Sequence, residues 1–137
     1  MKTLKISAVL FLAFLTLNVY GQNLIGYHET AIKQFMKDNQ KNMIFQNFVN
    51  NSTFKYLKYA DNDESQTLLF FLTADSVCKS IRLVCDKSLK AQKIKEFDTI
   101  YKKAGDNTWT DAKNGKNYSI ELKDEDYSFS VTILLKE

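Results

Sequence analysis

Two spacings of apolar residues alternate along this chain, and the switches between them mark out its elements. Leu24, Ile25, Ile32, Phe35 and Met36 fall on one stripe at helical spacing, which predicts an amphipathic helix over residues 28–40. Residues 41–51 fit either spacing through Ile44, Phe45, Phe48 and Val49, and Asn50-Asn51-Ser52 is a break. Three strands are expected next. Residues 53–60 are rich in aromatics, and Asp61-Asn62-Asp63-Glu64 turns the chain. Residues 67–73 form a nearly unbroken apolar run, as in a strand covered on both faces. Residues 77–85 then alternate, with Ile81, Leu83 and Cys85 on one side.

A second helix follows. Ser88 is the expected N-cap, and Leu89, Ile94, Phe97, Ile100, Tyr101 and Ala104 share one stripe. Lys102 and Lys103 suit a helix C-terminus, with Gly105 just beyond it. The rest reads as strand: a short one around Trp109, then 116–122 and 127–135, parted by Asn114-Gly115 and Asp124-Glu125-Asp126.

These elements predict an α+β fold: two helices on one face of a mostly antiparallel sheet of about six strands. Phe70, Leu72, Ile81, Leu83 and Cys85 stand 50 residues before Ile120, Leu122, Val131, Ile133 and Leu135, so the chain divides into two α-β-β-β units. In element order alone, this resembles the two-layer arrangement of cystatin-like and β-lactamase-inhibitor-like domains.

The start of the chain has a different character. Lys2 and Lys5 precede an apolar run from Ile6 to Val19, and Tyr20-Gly21-Gln22 follows. That pattern predicts a secretory signal peptide over residues 1–21. The run is short and is broken by Ser7, Thr16 and Asn18, so no stable membrane span is expected once it is removed. A single domain over residues 22–137 would remain, periplasmic or secreted. Net charge is +3 with Lys2 and Lys5 and about +1 without them, which gives no reason to expect nucleic acid as a partner. Arg82 is the only arginine, so bidentate clamping of anions is almost unavailable.

Candidate chemistry is sparse. Cys78 and Cys85 are seven residues apart, about 23 Å along a strand, whereas bridged Cα atoms lie within about 7 Å. A disulfide would need a tight reversal within 79–84, where no turn residue occurs, so free thiols are expected, with Cys85 in the core. His28 is the lone histidine; it reads as a helix-start residue bonded to backbone, and zinc would need more ligands of its kind. Asp61-x-Asp63-x-Ser65 begins like a calcium loop, but Gln66 and Leu72 stand where glycine and glutamate are required. No nucleophile elbow or phosphate loop is present. No catalytic residue, cofactor or metal is therefore expected.

The remaining candidate is a surface. With Leu68, Phe70 and Leu72 facing the helices, Leu69 and Phe71 point the other way. Leu57 and Tyr59 are expected to join them, and Trp109 to lie nearby. Such an apolar patch would bind another extracytoplasmic protein in an inhibitor-like or immunity-like role, unless residues 43–49 cover it. Two other readings are a carrier with a pocket lined by Phe70, Phe97, Tyr101 and Phe129, and a hydrolase with dispersed carboxylates.

Overall fold

Two helices and eight strands form in the computed structural model, which describes residues 23–137. The expected leader lies outside the described residues. In chain order the elements are α1 (Glu29–Asn39), β1 (Met43–Asn50), β2 (Lys55–Asp61), β3 (Gln66–Leu72), β4 (Cys78–Asp86), a 3₁₀ turn (Lys87–Leu89), α2 (Lys90–Ile100), β5 (Lys102–Gly105), β6 (Thr108–Lys113), β7 (Lys116–Asp124) and β8 (Ser128–Leu135). All eight strands join one sheet in the order β1-β2-β3-β4-β8-β7-β6-β5, and every neighbouring pair is antiparallel. The fold is α+β, with both helices packed on the same face.

The strand count departs from the expected six for two local reasons. Residues 41–51, where either spacing fitted, contribute β1, so this segment extends the sheet rather than lying over it. The second helix stops at Ile100 instead of running on to Ala104. Tyr101 turns to extended backbone (φ −115°, ψ 164°), and its ring stays against Phe97 at 5.7 Å. Lys102 to Gly105, all exposed, pair with β6 as an edge strand. Each half is therefore one helix and four strands, not one helix and three. The start of α2 also differs. Ser88 lies inside the 3₁₀ turn, and Leu89 precedes the helix without a side-chain cap bond. The last strand, expected from residue 127, begins at Ser128 as β8, and Tyr127 lies in the preceding turn, 92% exposed.

The two halves are related by an approximate two-fold axis through the β4·β8 pair. Arg82 lies directly opposite Thr132, fifty residues later, and Ile81·Ile133 and Leu83·Val131 flank it. Moving outward, Phe70 pairs with Ile81 and Leu122 with Val131. Phe70 thus corresponds to Leu122 rather than to Ile120, because the β3–β4 connection is longer than the β7–β8 turn. Farther out, Tyr59 beside Leu68 corresponds to Trp109 beside Ile120.

The core fills the space between the helices and this face. Ile32 and Met36 from α1 and Phe97 from α2 are buried against Leu57, Tyr59, Phe70, Ile81, Trp109, Ile120, Phe129 and Val131. Each such side chain contributes roughly 1.5–3 kcal/mol relative to its exposed state. Lys93 is buried as well, with its ammonium 3.2 Å from Glu96. It shares the α2 stripe of Phe97 and Ile100, one turn before Phe97.

Candidate binding surface

The face of the sheet away from the helices is traversed by three cross-strand rows. The first runs Val49–Tyr56–Phe71–Ser80–Leu134–Ser119–Thr110. The second runs Asn47–Lys58–Leu69–Arg82–Thr132–Glu121–Thr108, and the third Ile44–Ala60–Thr67–Val84–Ser130–Lys123. Among the described residues, no helix or strand lies over these rows, since all strands belong to the sheet and both helices occupy its other face.

Apolar side chains are concentrated on one side. Val49, Tyr56, Leu69, Phe71 and Val84 are half-buried, and Ile44 is 46% exposed. Tyr56 meets Phe71 edge to face at 5.5 Å, a preferred geometry for aromatic pairs. Past Arg82 the same rows hold Thr132, Glu121, Ser119, Ser130 and Lys123, with Leu134 as the apolar exception. Arg82 marks the border and reaches Glu125 at 3.7 Å.

Of the five residues singled out from sequence, Leu69 and Phe71 lie on this open face. Leu57 and Tyr59 do not join them. Leu57 stands opposite Phe70 and Tyr59 opposite Leu68, which places both on the helix face, 0% and 4% exposed. Directly paired residues must share a face, so register with β3 overrides what alternation within β2 leaves open. Trp109 is buried in the same layer. Its ring packs on Phe97 at 5.3 Å and its indole N–H donates to Asp98 at 2.8 Å. Tyr56 was missed from sequence, although it follows directly once Leu57 is known to face inward.

The other candidates are occupied with local tasks. His28 caps α1, its Nδ1 accepting from the Thr30 N–H at 3.2 Å. Cys78 and Cys85 are free and buried. Burial pushes both thiols up to about 12, and Cys78 donates to the Ser80 carbonyl at 3.4 Å. Held protonated, neither thiol is activated as a nucleophile. The acidic turn after β2 is self-satisfied: Asp61 accepts from Ser65 Oγ at 2.6 Å and from the Gln66 N–H at 2.9 Å. Partial burial acts to raise this carboxyl, but the hydrogen bonds outweigh it and hold Asp61 below the usual carboxylate range. No group of three or more metal-ligating side chains occurs among the described residues. No helix among them is long and apolar enough to cross a membrane.

An apolar cavity of about 30 Å³ lies between the helices and the sheet, lined by Phe35, Met36, Phe70, Leu83, Phe97 and Val131. Ligand pockets typically enclose about 300–1,000 Å³, so this cavity is a packing gap. Phe70 and Phe97 border it, while Tyr101 and Phe129 do not. Comparison of the chain with protein-family models, with characterised proteins and with solved structures gives no match.

Proposed function

We propose that the protein is a non-enzymatic extracytoplasmic interaction domain that docks another protein on the N-terminal half of its open sheet face. One observation carries this reading. Under the internal two-fold, Leu69 and Phe71 correspond to Glu121 and Lys123. The same architecture thus accepts charge at these positions, and the fold does not require apolar side chains there. Apolar surface that folding does not demand usually serves recognition. Tyr56 and Phe71 would supply the aromatic anchors, with Lys58 and Arg82 as a polar rim. The mode is steric, as in inhibitor-like or immunity-like proteins, and the helix-then-strands order of each half suits such two-layer domains. The pattern of residues 1–21 supports the periplasm or the exterior as the place of action.

The test exchanges the halves. Leu69→Glu with Phe71→Lys installs the residues that the C-terminal half already carries. This variant should keep the native circular dichroism and melting profile. It should also lose at least about tenfold in capture of an extracytoplasmic partner, since hot-spot truncations typically cost about 2 kcal/mol or more. Undiminished capture by a folded variant would count against this face.

A further inference from the structure

The sheet ends in two unlike edges. β5 is four residues long and carries Lys102 and Lys103, two devices that discourage strand addition. β1 is eight residues long. From Asn42 to Phe54 the chain holds no charged residue and no proline, so the usual electrostatic guard is missing. Ile44, Phe45 and Phe48 on this edge are 46%, 45% and 39% exposed. Lys33 of α1 lies over both rings, at 5.5 Å and 5.8 Å.

We infer that β1 is a self-pairing edge, on which a second copy of this chain adds its own β1 antiparallel about a two-fold axis. The sequence of the strand supports a second copy over any other occupant. Ile44-Phe45-Gln46-Asn47-Phe48-Val49 reads as a chemical palindrome: aliphatic, aromatic, amide, amide, aromatic, aliphatic. An isologous interface needs this self-complementarity, because each residue must suit its symmetry mate's neighbour. With the axis between Gln46 and Asn47, Phe45 faces Phe48 of the second copy, Ile44 faces Val49, and Gln46 faces Asn47.

The two faces also agree. Phe45 and Phe48 stand opposite Tyr59 and Leu57, on the helix side. Ile44 and Val49 stand opposite Ala60 and Tyr56, on the open side. Both apolar pairs, Phe45 with Phe48 and Ile44 with Val49, therefore lie on a common face. The register shift between Phe45 and Asn47 leaves Gln46 as a bulge, and bulges ordinarily blunt an edge. Here the bulge falls at the centre of the palindrome, so both copies carry the interruption at the same level. The short lysine-bearing β5 edge offers no continuation, so assembly closes at a dimer. This inference goes beyond the docking face and stands without it.

Light scattering or sedimentation of the purified protein over a concentration series tests it. The wild-type chain should show a concentration-dependent dimer. Asn47→Lys puts a charge at the axis in each copy and should weaken the dimer about tenfold, since like charges placed close across strands destabilise pairing. Adding Gln46→Glu to Asn47→Lys should restore it, because each glutamate then meets a lysine of the other copy. Leu69→Glu with Phe71→Lys should leave the dimer intact. A monomer at every concentration, an open-ended assembly, a dimer indifferent to Asn47→Lys, failure of the double variant to recover it, or loss of the dimer on changing the open face would each overturn edge pairing. None of these outcomes decides partner capture, which is read separately.

Discussion

The two halves of the sheet agree on one face and disagree on the other. On the helix face, Leu68, Phe70, Ile81, Leu83 and Tyr59 correspond to Ile120, Leu122, Val131, Ile133 and Trp109, apolar for apolar. On the open face, Leu69 and Phe71 correspond to Glu121 and Lys123, whereas the pair Val84 and Leu134 is apolar in both halves. Burial beneath helices leaves no choice on the first face, because an unpaired polar group there costs several kcal/mol. Water on the second face tolerates either kind of side chain. Under the proposed docking role, the apolar residues gathered on one half of this tolerant face serve recognition rather than folding.

The largest effects should come from the helix face. Trp109→Ala removes a buried ring packed on Phe97 and its indole hydrogen bond to Asp98. A loss of roughly 3–5 kcal/mol is expected, read by denaturant unfolding. Phe70→Ala should cost a similar amount. Phe71→Ala, one residue along and on the open face, should cost less than about 1.5 kcal/mol, since half-buried positions lose less on truncation. Equal losses at these neighbours would erase the contrast between the faces.

A smaller effect is expected from the reverse exchange. Glu121→Leu with Lys123→Phe should leave stability within about 0.5 kcal/mol while increasing binding of a dye that reports exposed apolar surface. A large loss of stability would mean that the polar half is required by the fold after all.

Titration gives the finest test, because the buried thiols and the Asp61 carboxyl respond at opposite ends of the pH scale. Cys78 and Cys85 ionise near 9 when unfolded and near 12 when folded. The unfolded state therefore gives up protons first, and stability should fall as pH rises from about 9 towards 12. At neutral pH, both thiols should react with an alkylating reagent only after unfolding. Asp61 behaves in the opposite sense. Its carboxyl is held low in the folded state, so its contribution is present above the ordinary carboxylate range and is lost as pH falls through the folded value. Asp61→Asn should flatten that acid limb slightly.

Local patterning was enough for the fold class, for both helices, and for the faces of β3, β4, β7 and β8. Alternation along a strand reports which residues share a side, and continuous stripes report a helix, without reference to the rest of the molecule. The open orientation of Leu69 and Phe71 followed from the same reasoning. Patterning could not say which side of β2 turns inward. Lys55 to Asp61 offers apolar atoms on both sides, and only the pairing of Leu57 with Phe70 decides between them. Nor could it distinguish β1 from a helix, or end α2 before Lys102. Edge strands are short or two-sided, and they form because a neighbouring strand presents unpaired backbone groups. Register and edge pairing join residues far apart in the chain, so they are settled only when the sheet assembles.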